Sequence, residues 1–376
     1  MVMNDPANPE RGFSLVELMV ALAISLVVIL AVTQIFVSSE GQRRTTGAGV
    51  DAQTAAAIGL YSIERDIGSA GYAINSSNIR GCSTFYSYYD SDGNGPTPGA
   101  PVPDMSAFPV RIMDNVVADG GSDRIIVTSG STTSSGMPTQ LADNMAAPQD
   151  DVEVSNISGC VPNGFAILSD GGKCTFMQIT AVDSLAFKLK HEYKDTNEPT
   201  YNPPITYLTD EGWPKYSIGN TALCLSNAIT QRTYSVNVAN NTLVFSSAGA
   251  NSDITPDIVS LQAQYGISAT GASDQVVNWV NATGSWANPT TVDRERIKAV
   301  RIGIVARSAL PEREDVSGAC TTAGGVDNDG PCLWDDTAAD PAPAVILSAE
   351  PEWRRYRYKT YSTIVVPRNL MWKPPL

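Results

Sequence analysis

The chain has 376 residues, with 25 Lys plus Arg against 39 Asp plus Glu, so its formal net charge is −14. This acidic balance argues against nucleic acid as a partner, because that ligand demands clustered basic residues. The single histidine, His191, excludes a histidine-based metal cluster. A chain of this length can hold a membrane segment followed by one large or two modest domains.

The first element predicted along the chain is a long apolar helix that follows a short polar leader. From Phe13 to Val37 the only charged residue is Glu17. About 20 apolar residues, at roughly 1.5 Å each, cross the hydrocarbon core of a bilayer, so residues 13–37 are predicted to span a membrane. A carboxylate inside such a span is costly, and it is therefore a candidate functional residue.

This stretch resembles the class III signal of type IV pilins and type II secretion pseudopilins. The Gly12–Phe13 junction, Glu17 at the fifth position after it and the apolar run carry the resemblance. The resemblance implies that a prepilin peptidase removes the leader, residues 1–12, and methylates the new Phe13 amine. A secretory signal peptide is disfavoured because the leader is not basic and the apolar run is too long.

The helix is predicted to continue beyond the membrane as an amphipathic half, residues 38–70. Its apolar side chains recur at helical spacing and form a stripe, with Arg65 and Asp66 outside it. The stripe consists of Ala56, Leu60, Ile63, Ile67 and Ala70. It needs an apolar partner, which the following chain supplies. Glycines at 41, 47 and 49 make the middle of the helix its weakest part.

Residues 71–376 are predicted to form a β-rich globular domain. A loop-like stretch, 81–109, comes first, and an insertion rich in Gly, Asp, Ala and Pro occupies 311–351. The Asn240-Asn241 pair indicates a hairpin turn. The fold class is therefore α+β, with a long N-terminal helix packed on an antiparallel sheet domain that has long disulfide-bearing loops. Extended segments are predicted at 123–129, 164–169, 175–189, 235–245, 258–267, 297–306 and 356–366.

Six cysteines follow the membrane run, and no two of them form a Cys-x-x-Cys pair. Such a pattern favours disulfides in an oxidising compartment, which places the domain outside the cytoplasm. Fifteen connectivities are possible. Two local pairs that enclose Gly/Pro-rich turns are preferred, and they leave the third by subtraction. The predicted pairs are Cys160 with Cys174, Cys320 with Cys332, and Cys82 with Cys224.

A calcium loop is the one cofactor site that the sequence suggests. Asp90, Asp92 and Asn94 match the first half of such a loop, but Pro101 stands where its last acidic ligand belongs. A shorter fragment lies at 327–330. Both fragments also fit ordinary turn chemistry, so the expectation is no cofactor, with calcium left open.

Catalytic motifs find little support, and no enzymatic activity is expected. His191 lies in the segment LKLKHEYK, where alternation predicts an exposed strand position. A basic cluster near the C-terminus predicts a solvated edge strand or, alternatively, a docking surface for an acidic neighbour. This cluster consists of Arg354, Arg355, Arg357 and Lys359.

The last third of the chain resembles the PilW-type minor pilins. The resemblance is carried by a YGI strand at 265–267, Trp279, Trp286, the segment RIKAVRIGIVARS at 296–308 and PRNL at 367–370. It implies a structural subunit that primes a type IV pilus or sits at its tip. Its implied partners are other minor pilins, the major pilin, the inner-membrane assembly platform and a tip adhesin.

The implied location is a single-pass inner-membrane state with a periplasmic domain, followed by the extracellular pilus. Two alternatives stay open on the sequence. One is a minor pseudopilin of a type II secretion system, and the other is a membrane-tethered periplasmic binding or hydrolytic domain.

Overall fold

The computed structural model describes residues 14–74, 79, 82–90, 108–131, 137–193, 200–247, 250–348 and 350–371. The chain divides into two compact units, Met1–Asp51 and Ala52–Leu376. The first contains most of the N-terminal helix, and the second, called the head below, contains the end of that helix and all the strands.

The N-terminal helix, α1, runs from Leu15 to Ser69 without interruption, so the glycine-containing stretch 41–49 is helical. Its part Leu15–Val37 is long and apolar enough to cross a membrane, and these side chains are exposed in the structure. The Thr33 hydroxyl donates to the Ile29 carbonyl oxygen at 2.8 Å. This polar side chain is thus satisfied within the helix, as an apolar surrounding demands.

Within the head, the last turns of α1 bury the predicted apolar stripe. Ala56, Ile63, Ile67 and Ala70 are fully buried, and Leu60 packs against the same core while half-buried. Asp66, expected outside the stripe, is instead 5% exposed and packs inward. Its place is explained by polar partners on the sheet, which are described below.

Nineteen strands form five sheets among the described residues, and three short helices accompany them. The helices are α2 (Ile205–Asp210), α3 (Thr291–Arg296) and α4 (Arg368–Met371). The strands are β1 (Thr84–Tyr86), β2 (Val110–Val116), β3 (Ser122–Ser131), β4 (Thr139–Gln140), β5 (Val152–Glu153), β6 (Phe165–Ser169), β7 (Lys173–Gln178), β8 (Ala181–Asp183), β9 (Lys188–Lys190), β10 (Thr221–Leu225), β11 (Asn227–Asn237), β12 (Thr242–Ser247), β13 (Ala250–Thr255), β14 (Ile258–Ser268), β15 (Val276–Val280), β16 (Ile297–Arg307), β17 (Cys320–Thr321), β18 (Asp327–Asn328) and β19 (Tyr358–Val365).

The main core lies between the end of α1 and two antiparallel sheets. Their strand orders are β13-β12-β11-β3-β2 and β15-β14-β16-β19. The strands predicted at 123–129, 258–267, 297–306 and 356–366 are confirmed as β3, β14, β16 and β19. Strands β14 and β16 are almost wholly buried, because side chains of both pack into apolar clusters on the two faces of the sheet. The α+β fold class is therefore confirmed.

Two side chains of β3 join these sheets where β15 ends. β15 pairs with β14 only from Tyr265 onward. Beyond that point the Leu261 N–H donates to Ser122 Oγ at 3.4 Å, and the Ala263 N–H donates to Asp123 Oδ2 at 2.7 Å. These contacts satisfy backbone donors that lack a strand partner.

The middle of the chain, about 139–225, forms a second core around the sheets β1-β7-β6-β10-β4 and β5-β9-β8. The prediction of one extended stretch over 175–189 is wrong. Asp183 Oδ1 accepts bonds from the Leu185 and Ala186 N–H groups, which makes a tight turn between β8 and β9. Phe187 therefore adopts a φ of 53° and is 45% exposed.

One of the three predicted disulfides is confirmed and two are wrong. The Cα–Cα distances of the observed pairs lie between 5.0 and 5.6 Å. The observed pairs are Cys320–Cys332 as predicted, and Cys82–Cys174 with Cys160–Cys224 in place of Cys160–Cys174 and Cys82–Cys224.

Sheet geometry explains the exchange of partners. Cys174 in β7 lies in the apolar cluster on one face of the sheet, together with Cys82. Cys224 in β10 lies in the cluster on the other face, together with Cys160. Because strand side chains alternate between faces, a Cys160–Cys174 bond would have to pass through the sheet. Local loop size, on which the prediction relied, does not reveal the face.

Candidate functional site

The start of α1 carries the residues expected to direct processing and assembly. Gly12 and Phe13 lie outside the described residues, so the cleavage site and the methylated residue stay predictions. Ser14, the next residue, caps the helix, because its Oγ accepts a bond from the Val16 N–H at 3.2 Å. The Glu17 Oε2 accepts a bond from the Ser14 N–H at 3.0 Å.

The two bonds have the Ser-x-x-Glu spacing of a capping box, with Ser14 Oγ bonded to Val16 rather than to Glu17. The sequence analysis missed this motif although the spacing displays it. Its consequence is that Glu17 turns back toward the N-terminal end of α1. A carboxylate is stabilised there by the helix dipole. Glu17 thus lies beside the main chain of Ser14.

The surface behind Glu17 is almost entirely apolar, and its polar residues are Ser25, Thr33 and Gln34. Every residue from Leu15 to Val37 is exposed, and the large side chains among them are at least 44% exposed. A uniformly apolar helix of this length is suited to lipid or to other apolar helices.

The other end of α1 is capped from the distant C-terminus. Asn369 Nδ2 donates to the carbonyl oxygens of Ser69 and Ala70 at 3.2 and 3.0 Å. Gly71 follows with a φ of 74°, and its N–H donates to the Thr128 carbonyl oxygen at 2.8 Å. These bonds satisfy carbonyl groups that a helix end leaves without partners. They also give the PRNL segment a structural role that the sequence did not disclose.

Asp66 fixes the end of α1 to strand β11. Arg232 Nη1 donates to Asp66 Oδ1 and Oδ2 at 3.0 and 2.8 Å, and the Tyr234 hydroxyl donates to Oδ2 at 2.6 Å. Burial, followed by the bond to Asp66, raises the pKa of Tyr234, which remains a donor at all physiological pH values. A buried carboxylate with three such bonds orients the helix on the sheet.

The tryptophans and glycines of the C-terminal segments pack against one another. A Cβ on Gly266 would lie 2.8 Å from the Trp279 ring, and one on Gly303 would lie 2.5 Å from Leu333. The Arg301 guanidinium lies 4.2 Å from the Trp279 ring centroid and 5.2 Å from that of Trp334. These contacts hold the 311–351 insertion on the sheet. Packing therefore accounts for the glycines and tryptophans at these positions.

The two calcium fragments differ in how much of them is described. Asp92 and Asn94 lie outside the described residues, whereas Asp90 is buried and its backbone pairs with Thr200. In the second fragment, Asp327 Oδ1 accepts a bond from the Thr321 hydroxyl at 2.7 Å. Within the part of the chain that the structure describes, no three acidic, histidine or cysteine residues form a metal-sized group. Calcium binding at 90–101 stays a prediction.

His191 follows β9 and is half-buried, so the expected exposed strand position is wrong. Its Nε2 lies 2.8 Å from the Asp150 carbonyl oxygen, which requires a proton on Nε2. Burial lowers the pKa of His191, so the ring is neutral at pH 7. Since the observed partner is a main-chain carbonyl, the described residues do not place a Ser-His-Asp arrangement on this ring.

The C-terminal basic cluster is only partly on a strand. Arg354 and Arg355 lie in a short 3₁₀ turn, and β19 begins at Tyr358 on the edge of its sheet. Arg357 Nε donates to Glu312 at 2.9 Å, and Arg355 pairs with Glu352. Arg355 and Arg357 are thus paired within the chain, which makes them less suited to bind an acidic neighbour.

Comparison with known proteins finds family models that match both ends of the chain. The family model of type IV pilus-assembly protein W matches residues 216–369. The model of the prokaryotic N-terminal methylation motif matches residues 7–33. No curated protein and no solved structure matches the chain. The matched ranges contain the capping box at Glu17, β14, β16, β19 and the Asn369 cap. Over residues 216–369 the chain is therefore similar to the PilW family of type IV pilus-assembly proteins, and at residues 7–33 it carries a prokaryotic N-terminal methylation motif.

Proposed function

We propose that this chain is a structural minor pilin that primes a type IV pilus or sits at its tip, together with other minor pilins. The family match over residues 216–369 supports a role in pilus assembly. The observation that carries the finer assignment is the size of the head, which comprises residues 52–376 against a single N-terminal helix.

A large head constrains where a subunit fits in a thin fibre. Along the shaft, each head must lie beside neighbours both above and below it. At the tip, or in an initiating complex, one of those sides is open. The bulk of the head therefore favours the tip or the initiation complex over repeated use along the shaft.

Glu17 is proposed to guide incorporation. After removal of residues 1–12, the Phe13 amine is a positive charge close to the membrane interior. A carboxylate there is stabilised by an opposite charge, because a lone charge in lipid is costly. The Glu17 of one subunit would pair with the amine of a neighbour and so set the axial register of the two helices.

The proposed partners are other minor pilins, the major pilin, the inner-membrane assembly platform and a tip adhesin. The proposed route is a single-pass state in the inner membrane with the head in the periplasm, followed by the extracellular pilus. Between the alternatives, the match over residues 216–369 favours a pilus subunit over a secretion pseudopilin or a tethered hydrolytic domain. We propose no enzymatic activity.

Location and copy number test this assignment. Immunogold labelling of the head should mark one end of each pilus, and quantitative proteomics of sheared pili should find far fewer copies than of the major subunit. Labelling along the whole fibre, at a copy number near that of the major subunit, would exclude the tip assignment.

A further inference from the structure

The head contains a cavity of about 500 Å³ that pilus assembly does not explain. It lies beside strands β6 and β7 and the segment around α2. Its inner wall is apolar and buried, and the residues there include Leu168, Met177, Leu208 and Trp213. Small-molecule sites in proteins have volumes of about 300–1,000 Å³ and are mostly apolar, so the size and lining fit such a ligand.

Part of the lining either lacks a hydrogen-bond donor or directs it to another residue of the chain. Four of the lining residues are prolines, which have no N–H: Pro148, Pro203, Pro204 and Pro214. The Tyr216 hydroxyl donates to Thr175 Oγ1 at 2.8 Å, and Asn202 Nδ2 donates to the Gln178 carbonyl oxygen at 2.8 Å. A ligand body held here must therefore be recognised by shape and apolar contact.

The rim of the cavity carries one carboxylate. Glu192 is exposed, and no lysine or arginine is found among the lining residues that the structure describes. Asp150 and Asp151 lie close enough to His191 to act on its charge. Glu192 is therefore the charged side chain that the lining contributes, while Lys215 lies beside the lining with its Nζ 3.5 Å from the Ala146 carbonyl oxygen. A ligand head with positive charge matches this rim, whereas an anionic head is repelled.

We propose that this cavity binds a small amphiphilic cation, with an apolar body of ring size inside and an ammonium head at Glu192. The lining residues run from Met145 to Tyr216, almost entirely before the family-matched range 216–369. The site is thus a feature of this chain's middle segment and is independent of the helix that enters the membrane.

Three probes that share one body separate the contributions of shape and charge. They are 2-naphthylmethylamine, 2-naphthylmethanol and 2-naphthoate. Binding is measured by calorimetry on the full chain in lipid nanodiscs at pH 7, with empty nanodiscs subtracted. The amine is expected to bind most tightly, the alcohol more weakly and the carboxylate weakest.

Variants locate the site. Thr206→Trp places a ring at the exposed mouth and should weaken the amine at least ten-fold, with Gln149→Trp as a second mouth variant if the first does not fold. Glu192→Gln should weaken the amine about two- to five-fold, the range of a partly exposed ion pair. The same variant should leave the affinity for the alcohol unchanged. Glu211→Gln, an exposed carboxylate outside the lining, is the matched control.

Several results would overturn the proposal. One is no probe binding above the empty nanodiscs. Another is equal affinity for the amine and the carboxylate. A third is wild-type affinity in a folded Thr206→Trp or Gln149→Trp variant, which would place binding elsewhere. If Glu192→Gln and Glu211→Gln changed the affinity for the amine equally, the ammonium group would not lie at Glu192.

Discussion

At the scale of single residues, two buried carboxylates connect elements that apolar contact alone leaves free to slide. Asp66 joins α1 to β11 through Arg232 and Tyr234. Asp123 joins β3 to β2 and β14, since it accepts bonds from the Asn115 and Ala263 N–H groups at 2.9 and 2.7 Å. Charged groups in such places are costly to leave unpaired, so their removal is informative.

We expect Tyr234→Phe to lower the free energy of unfolding by about 1.5–3 kcal/mol, the range for a hydrogen bond to a charged group. Tyr61→Phe, which removes the hydroxyl of an exposed tyrosine on α1, should change this free energy little and is the control. Chemical denaturation of the detergent-solubilised chain measures both. When Tyr234→Phe is combined with Asp66→Asn, the loss of stability should be less than the sum of the two single losses, because the two residues share one hydrogen bond. Strict additivity would show that the hydroxyl and the carboxylate do not interact.

Asp123 should make stability depend on pH. Burial raises its pKa to about 7, against an ordinary value of 3.8. Between about pH 4 and pH 7 the folded chain then holds a proton that the unfolded chain has lost. The stability that Asp123 contributes is therefore greatest below about pH 4 and falls as pH rises toward 7, by at most about 1.4 kcal/mol per pH unit for one proton.

Comparison with Asp123→Asn isolates this effect. The stability advantage of the wild type over the variant should shrink as pH rises from 4.5 to 7.5, because an amide does not titrate. Asp253→Asn, at an exposed position on β13, should give no such trend. If the stability advantage of the wild type instead grew with pH, Asp123 would be an ionised, stabilised carboxylate in the folded chain.

At the scale of elements, α1 depends on caps supplied from different parts of the chain. Its first turn is capped by its own Ser14 and Glu17. Its last turn is capped by Asn369, which lies 299 and 300 residues from the carbonyl groups it binds. The C-terminal segment is therefore part of the structure that ends the helix.

We expect Asn369→Ala to lower the free energy of unfolding by about 1–2 kcal/mol, since two carbonyl groups lose their donor. Asn369→Asp should cost more, because a carboxylate cannot donate and adds negative charge at the negative end of the helix dipole. Hydrogen exchange of residues 66–71 measures the local effect. If Asn369→Asp were as stable as the wild type, the cap would have no energetic role.

At the scale of the whole molecule, the two units carry different parts of the proposed function. The apolar part of α1 suits membrane insertion and helix association, and the head supplies the bulk that favours a tip position. In the proposed function, cleavage after Gly12 would release the Phe13 amine, and the charge of Glu17 would pair with the amine of a neighbouring subunit.

We expect the protein isolated from piliated cells to start at Phe13 with an N-methyl group. Loss of the 12-residue leader from 376 residues leaves 364. Intact-mass spectrometry and Edman sequencing decide this, and an N-terminal Met1 in assembled pili would contradict it.

Glu17→Ala should leave processing largely intact and reduce incorporation into pili. Glu17→Gln should have the same effect, since it keeps the shape of the side chain but not the charge. Leu18→Ala, an exposed apolar position beside it, is the control and should assemble normally. Immunoblots of sheared pili and of membranes measure both steps. Normal incorporation of Glu17→Gln at native expression would rule out the charge pairing.

The sequence by itself determined the features that local patterns encode. Hydrophobic length defines the 15–37 span, helical spacing defines the buried stripe, and β-branched runs define β3, β14, β16 and β19. The local Cys320–Cys332 bond and the α+β class follow in the same way. The capping box at Ser14 and Glu17 also lies in the sequence, as its spacing alone identifies it.

Only the tertiary structure decided the features that need two distant segments to meet. The exchange of the other cysteine partners depends on which face of a sheet each side chain occupies. The burial of Asp66 depends on β11, and the cap by Asn369 depends on the return of the C-terminus to α1. The cavity beside α2 likewise arises from segments up to 71 residues apart. Spacing along the chain carries no information on such contacts, because side-chain direction and long-range packing are set when the sheets assemble.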